Sequence, residues 1–252
     1  MDLTSIFDYK KPRNWVEEFY KFDTVQFEKI KISEEVALGR AWKIFHDVAT
    51  YVPAYKDFLK KHGVDPKKVK NFSEIPITDK KNYIQVYPLE QRCWDGSLDG
   101  QNIIAVSSGT SGEATYWPRG GYQEFEQAVT HELLYRKYFE IHKHKTLILI
   151  GFPMGIYVSG VATLLPSWLV AQKYPNVTLV SVGNDKKQVL RIIAEQSKQF
   201  YQTILIGHPF FLKDIIETGK KDGVRWDRFN IGMMFCSEGF SEDWRTYVAK
   251  LA

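Results

Sequence analysis

The chain has 252 residues, of which 44% are hydrophobic and 15% aromatic, enough apolar material for one large folded domain or two small ones. Its 34 basic and 30 acidic residues leave a net charge of +4, too small and too dispersed to indicate a nucleic-acid-binding protein. No apolar stretch reaches the roughly 20 residues that a membrane-spanning helix needs. The first residues show no signal peptide, and two isolated cysteines, Cys93 and Cys236, fit a reduced compartment. We therefore expect a cytoplasmic protein that binds neither nucleic acid nor a membrane.

The first 101 residues predict a mostly helical region that packs on the core of the protein. Ser33 has the side chain of an N-cap and predicts a helix that continues to Thr50. Pro53 interrupts this helix, and a second helix is expected to stop at Gly63. Loops and short helices are expected up to residue 101. The side chains that we expect in the core, from this region and from a later helix, are apolar: Val36, Trp42, Ile44, Phe45, Val48 and Trp168.

From residue 102 onward, short apolar strands alternate with amphipathic segments of helix length. This alternation is typical of a parallel α/β sheet flanked by helices, so we predict a nucleotide-binding core over residues 102–252. The predicted strands are 102–106, 146–151, 177–182, 203–207 and 231–236. Ligands of such sheets bind at the carboxyl ends of the strands. We expect one cleft to collect four segments that follow strands: 107–112, 151–153, 207–209 and 237–239.

The segment after the first predicted strand consists only of glycine and small hydroxyl residues. Its members are Ser107, Ser108, Gly109, Thr110, Ser111 and Gly112. Glycine lets the backbone approach a ligand closely, and clustered N–H groups form a concavity that binds anions. Such a loop suits a phosphate chain, and a flexible surface turn is the alternative. The loop is not of the Walker type, because Glu113 follows Gly112 where lysine is needed, and it has neither the dinucleotide nor the nucleophile-elbow pattern.

This loop, extended to Thr115, resembles the phosphate-binding loop of adenylate-forming enzymes, and the most similar branch is the phenylacetate–CoA ligase family. Other parts of the chain resemble that family's N-terminal region, its glycine- and aromatic-rich acyl-pocket segment, and its "T-P-S-Y-x-L" and "F-G-A-E-P-W-T-E" segments. The matching segments, which follow the family's order, are 51–55 with 76–80, 107–115, 152–160, 206–212 and 235–242. The resemblance implies the N-terminal domain of the adenylate-forming fold, preceded by a helical region and without the C-terminal lid domain.

The resemblance also implies a reaction in two steps. A carboxylic acid, aryl or similar, attacks ATP to give an acyl-adenylate and pyrophosphate, and coenzyme A then displaces AMP, with Mg²⁺ bridging the phosphates. By this analogy residues 107–112 hold the β- and γ-phosphates. The residues expected against adenine are Ser237, Glu238 and Gly239. The residues expected around the acid are Phe152, Gly155, Tyr157, His208 and Pro209. No catalytic residue and no protein ligand of a metal is assigned.

Several features of the chain depart from the family pattern. Glu113 and Ala114 replace a basic residue and a proline, while Ser237 and Gly239 replace an alanine and a proline. The family's metal-binding glutamate, ribose-binding aspartate and catalytic lysine cannot be located, and the chain stops inside a predicted helix. We therefore expect a fragment of an acid–CoA ligase that is inactive or incomplete by itself.

Two alternatives to a simple fragment remain open at this stage. The chain is a non-catalytic protein that binds a nucleotide or a partner, or it is completed in trans by a second polypeptide or a second copy in a homodimer. Single residues also leave choices. His208 contacts substrate or is a hydrogen-bonded structural histidine, and Glu238 lines the pocket or is a helix N-terminal acid. Cys236, at the end of an apolar strand, is expected to be buried.

Overall fold

The computed structural model describes residues 14–107 and 114–251, which divide between two compact units. One unit is drawn from Met1–Thr24 and Gly121–Ala252, and the other from Val25–Gly120. The predicted domain boundary between residues 101 and 102 stays a prediction. The helices are α1 Trp15–Lys21, α2 Thr24–Glu28, α3 Glu34–Tyr51, α4 Pro53–Lys61, α5 Gly121–Phe139, α6 Val158–Lys173, α7 Lys186–Gln196, α8 Pro209–Lys221 and α9 Glu242–Leu251. The strands are β1 Gln101–Val106, β2 Tyr116–Gly120, β3 Thr146–Ile150, β4 Val177–Ser181, β5 Gln202–Gly207 and β6 Ile231–Phe235.

In the unit formed by residues 25–120, the longest helix, α3, begins where the sequence predicts. The Ser33 side chain accepts a hydrogen bond from the backbone N–H of Val36 at 3.3 Å and so caps α3. Pro53 occupies the first turn of α4, where its missing N–H costs nothing. Gly63, with φ of 69°, follows the end of α4 in the left-handed region that glycine tolerates best. These local signals in the sequence are therefore confirmed.

Two of the predicted core residues of α3 lie on its solvent side. Phe45 is buried and Trp42 is partly buried, and both belong to the cluster that packs α3 on α4. Val36 and Ile44 are exposed, so their assignment to the core was wrong. Because the buried stripe of α3 follows helical spacing through residues 42, 45 and 49, Ile44 points about a quarter-turn or more away from it.

The first predicted strand does not belong to the parallel sheet. β1 pairs antiparallel with β2 in a separate two-stranded sheet, in which Ala105 lies opposite Trp117 and Val106 opposite Tyr116. The prediction missed β2 because it contains Pro118, which removes a ladder donor. In a sheet of two strands both are edges, and an edge strand tolerates proline. The expectation that segment 107–112 follows a strand of the parallel sheet was wrong.

The other unit contains a four-stranded parallel sheet in the order β4-β3-β5-β6. The two central strands are buried along their whole length, and the two edge strands are partly buried. Alternate residues of β3 and β5 face opposite sides of the sheet. On one side, residues of the sheet pack with α7, α8 and α9: Leu147, Leu149, Val189, Ile193, Leu205, Leu212, Ile215, Ile216, Trp226 and Val248. The predicted α/β fold, with a parallel sheet flanked by helices, is confirmed.

Helices α5 and α6 pack against each other, and α5 also covers a glycine of the sheet. A Cβ built at Gly232 of β6 would lie 2.6 Å from the ring of Phe139, the last residue of α5. Trp168 of α6 is 51% exposed, so its predicted place in the core was wrong. The buried side of α6 instead carries Pro166, Ser167, Leu169 and Val170. In the described ranges, no helix combines the length and the apolar character needed to cross a bilayer.

A buried carboxylate fastens the segment before residue 25 to α5 and α6. Glu132 of α5 is 1% exposed, and its Oε2 accepts hydrogen bonds from Lys173 Nζ at 2.8 Å and from the Thr24 hydroxyl at 2.6 Å. The hydroxyl of Tyr174 donates to the other carboxylate oxygen at 2.6 Å. Burial, and then this bond to Glu132, raises the pKa of Tyr174 to about 12. Lys173 also donates to the carbonyl of Phe22 at 3.0 Å, which ties the segment to α6.

We predict that Lys173→Met destabilises the protein by roughly 3–5 kcal/mol, because it leaves the Glu132 carboxylate buried without its cation. The measurement is the free energy of unfolding in urea. Lys186→Met is the matched control, since Lys186 pairs with Asp214 at 2.8 Å on the surface, where such a pair contributes about 0–1 kcal/mol. The double variant Glu132→Leu, Lys173→Met is expected to recover most of the loss. Equal effects of the two lysine substitutions would contradict the prediction.

Candidate functional site

The candidate site lies at the carboxyl edge of the parallel sheet. Because β5 lies between β3 and β6, the residues that follow β5 lie between those that follow the other two strands. Three of the four predicted segments come together there: 151–153 after β3, 207–209 after β5 and 237–239 after β6. Convergence of this kind is the usual place of ligand sites in open parallel sheets.

A glycine stands at the carboxyl end of each central strand, and each of these glycines packs closely against α8. The backbone N–H of Gly151 donates to the carbonyl of Ile206 at 2.6 Å. A Cβ at Gly151 would lie 2.9 Å from the Phe211 ring, and one at Gly207 would lie 3.1 Å from the Leu212 side chain. These glycines let the first turn of α8 approach the sheet, and so place that turn at the candidate site.

Phe152 and His208 join the ends of β3 and β5. Their rings are nearly perpendicular, at 87°, with centroids 4.9 Å apart. Phe152 is 1% exposed, whereas His208 is half-buried. His208 precedes α8 but its side chain does not cap the helix, and its buried Nδ1 has no hydrogen-bond partner. Within the described residues this geometry gives no support to a hydrogen-bonded structural histidine, one of the two alternatives from the sequence, and contact of His208 with substrate stays a prediction.

The remaining residues predicted around the acid lie at the start of α8 or in the connection that leads to α6. Pro209 is buried in the first turn of α8. Gly155 has φ of 78° in the connection between β3 and α6, and Tyr157, which precedes α6, is 42% exposed. The structure thus places Phe152, Gly155, Tyr157, His208 and Pro209 at one end of the sheet. Their contact with an acid stays a prediction.

The segment after β6 is exposed and conformationally strained. Ser237 has φ of 79°, a left-handed conformation that is costly for a residue with a Cβ. In the described part of the chain, the peptide groups of Ser237, Glu238 and Gly239 make no backbone hydrogen bond. All three residues are exposed to solvent. Unpaired donors and acceptors held in an unusual conformation are suited to contact a planar heteroaromatic ring.

Two expectations for this segment were wrong. Cys236 is exposed, because the last ladder pair of the sheet joins Gly207 to Phe235 and Cys236 lies beyond it. Glu238 is not a helix N-terminal acid. The side chain of Ser241 accepts a hydrogen bond from the Trp244 N–H at 3.2 Å, and Glu242 and Asp243 fill the first turn of α9. Glu238 therefore precedes the helix, and its role in a pocket stays a prediction.

The predicted phosphate loop is described only at its first residue. The N–H of Ser107 donates to the carbonyl of Thr115 at 2.9 Å, and the N–H of Thr115 donates to Ser107 Oγ at 3.1 Å. This pair continues the β1–β2 hairpin by one step beyond Val106. The other predicted members lie outside the described residues: Ser108, Gly109, Thr110, Ser111 and Gly112.

The described residues contain no preformed cluster of metal ligands. Within residues 14–107 and 114–251, no group of three or more His, Cys, Asp or Glu side chains is arranged to hold a metal. A protein-held Mg²⁺ ordinarily takes only one or two carboxylates together with phosphate oxygens, so a site of that kind needs no such cluster.

Comparison with known proteins identifies the fold. No family model matches the sequence, and no curated protein is similar to it. The open conformation of 2-hydroxyisobutyryl-CoA ligase in complex with 2-HIB-AMP and CoA superposes with a TM-score of 0.67 at 12% identity, over 86% of this chain and 51% of that chain. The thioesterification state of the same ligase gives 0.67 at 13% identity, over 86% and 46% of the respective chains.

These likenesses show that the chain has the fold of part of an adenylate-forming acid–CoA ligase. The resemblance inferred from the motifs is confirmed at the level of the fold. The chain spans about half the length of the solved ligases that it matches. The likeness to these ligases concerns the fold of this chain and not its activity, substrate or cofactors.

We predict that Ser237→Gly stabilises the protein by about 1 kcal/mol, because glycine adopts the left-handed conformation without a Cβ penalty. Ser97→Gly is the control, since Ser97 has an extended backbone with φ of −125°, and glycine there relieves no strain: it adds entropy to the unfolded chain and removes the hydrogen bond that Ser97 Oγ accepts from the Asp99 N–H at 3.0 Å. The thermal unfolding midpoint of each variant provides the measurement. A loss of stability in Ser237→Gly as large as that in Ser97→Gly would show that the left-handed conformation carries no strain.

Proposed function

We propose that this chain is part of an acid–CoA ligase and binds an adenine nucleotide at the carboxyl edge of its parallel sheet. The observation that carries the proposal is the likeness of fold to 2-hydroxyisobutyryl-CoA ligase over 86% of the chain. The solved ligase is a complex with an acyl-AMP and CoA. The exposed and unpaired peptide groups of residues 237–239 support the same assignment.

In the proposed complex, the peptide groups of residues 237–239 contact the adenine ring. Ser237 already has its left-handed conformation in the free chain, so we expect binding to require little reorganisation of this segment. The loop of residues 107–112 supplies N–H and hydroxyl donors to the β- and γ-phosphates of ATP. When bound, ATP with Mg²⁺ would supply the adenylyl group that activates the carboxylate, with release of pyrophosphate, and coenzyme A would accept the acyl group with release of AMP.

The substrate is proposed to be a small organic carboxylate, aryl or similar, in line with the resemblance to the phenylacetate–CoA ligase branch. It would lie near Gly155, Tyr157 and His208, where the ends of β3 and β5 meet. The parts of the site that this chain does not contain would come from a longer chain, from a second polypeptide or from a second copy in a homodimer. We propose a cytoplasmic setting on the composition of the chain alone.

A bulky side chain at Gly239 is expected to block the nucleotide. Among the described residues, no atom lies within 4 Å of a Cβ built at Gly239, so a side chain meets no clash at its first atom, and the ring of Gly239→Trp is expected to enter the space proposed for adenine. We expect AMP binding, measured by titration calorimetry, to weaken at least tenfold. Gly39→Trp is the matched control, since a Cβ at that position in α3 also meets no described atom within 4 Å. Unchanged AMP affinity in Gly239→Trp would reject the proposed adenine position.

A second candidate function, a non-catalytic nucleotide-binding or partner-binding protein, is favoured by Gly239, which stands where the adenylate-forming family usually has proline. Isotope exchange between ATP and pyrophosphate, run with a panel of carboxylic acids, separates the two. Acid-dependent exchange supports a ligase part, while AMP binding without exchange by any longer chain that contains this one supports the alternative. We expect the chain alone not to make acyl–CoA. A robust rate of acyl–CoA synthesis by the isolated chain would contradict its incompleteness.

A further inference from the structure

His208 occupies the centre of the carboxyl edge and has an unsatisfied ring nitrogen. It follows β5, which lies between β3 and β6. Its side chain does not cap α8, and its Nδ1 is buried without a hydrogen-bond partner. Native structures rarely leave a buried polar atom unpaired, and such an atom calls for an explanation in function. Among the described residues, no hydrogen bond to Nδ1 of His208 therefore helps to hold the fold.

The surroundings of the ring decide which nitrogen is offered to a ligand. The buried ring of Phe152 packs perpendicular to the imidazole and fixes its orientation. His208 is half-buried, and among the described residues its Nε2 has no hydrogen-bond partner and, unlike Nδ1, is not a buried unpaired atom, which leaves Nε2 as the nitrogen open to a ligand. A buried N–H without an acceptor is tolerated less well than an unpaired lone pair. The neutral imidazole therefore carries its proton on Nε2 and presents an N–H donor at the edge of the sheet.

The neighbouring side chains determine the kind of acceptor that fits this donor. Apart from His208, residues 151–157 and 207–212 carry no titratable cation and no carboxylate, and most are apolar or aromatic. A phosphate placed there would bring negative charge to a site without a compensating cation, which is costly. An organic acid whose carbon skeleton carries one uncharged oxygen suits this site better. Its carbon atoms contact the apolar wall, and its oxygen accepts from the single donor.

We propose that His208 determines the specificity of the site by donating its Nε2–H to a hydroxyl or keto oxygen on the skeleton of the acid. The preferred substrates are then hydroxy or keto carboxylic acids, aliphatic or aryl, in preference to the unsubstituted acids of the same shape. This inference rests on the proposed function, because it takes the acid to lie at the edge of the sheet. His208 is here a binding residue and transfers no proton in the reaction.

The test uses stable acyl-adenylate analogues, the acylsulfamoyl adenosines. Binding of the lactoyl and pyruvoyl compounds is compared with that of the isobutyryl compound, in which a methyl group replaces the oxygen, and AMP is titrated separately. One hydrogen bond corresponds to roughly a five- to tenfold preference for an oxygen-bearing analogue. His208→Phe keeps an aromatic ring against Phe152 and is expected to reduce the preference to less than about twofold with AMP affinity unchanged. His208→Gln, which retains an amide donor, is expected to keep part of the preference.

Each outcome separates this proposal from the proposed function. AMP binding with no preference for either oxygen-bearing analogue overturns the role of His208 alone, as does a preference that survives in His208→Phe. A loss of AMP affinity in His208→Phe would mean that His208 donates to the phosphate, and this result also overturns its proposed role in specificity. Absence of AMP binding by the unsubstituted chain overturns both proposals. The Nε2–H resonance of His208 in the unsubstituted chain gives a measurement that needs no variant: it shifts on binding of the lactoyl compound and stays unmoved with the isobutyryl compound.

Discussion

Parallel pairing of β3, β4, β5 and β6 is the constraint on which the candidate site depends. Parallel strands all end at the same edge, so their connections to the following helices must converge there. The order β4-β3-β5-β6 puts the end of β5 between the ends of β3 and β6. One edge thereby holds a strained exposed backbone at Ser237 and a half-buried imidazole at His208. Segments far apart in sequence become neighbours without any direct bond between their side chains.

The helices on the sheet are held by a buried charge as well as by apolar packing. Glu132 lies on the buried stripe of α5, with Ala128, Val129 and Tyr135, where a carboxylate needs compensation. Lys173, Thr24 and Tyr174 supply three donors and so connect α5 to α6 and to the residues before 25. The position of Glu132 among apolar residues at helical spacing is visible in the sequence. The sequence could not identify the partners, which are up to 108 residues away along the chain.

Local chemistry made part of the fold predictable. The cap at Ser33, the break at Pro53 and the turn at Gly63 depend on a few consecutive residues, and the structure confirms them. The apolar runs of β3 and β5 were equally clear, because buried parallel strands leave no polar face. The assignment of β1 to the same sheet failed, since an isolated strand pattern does not say which partner it pairs with, and Pro118 concealed the strand that it does pair with.

The sequence by itself determined the class of fold, the ends of the strands and the chemistry available at each end. These depend on hydrophobic periodicity and turn residues, which are local. Only the tertiary structure decided that Cys236, Trp168 and Ile44 are exposed, because burial depends on which elements cover a residue. It also decided that Ser237 is left-handed and that Nδ1 of His208 is buried without a partner. Both features arise where strands distant in the sequence are brought side by side, and no local pattern encodes that contact.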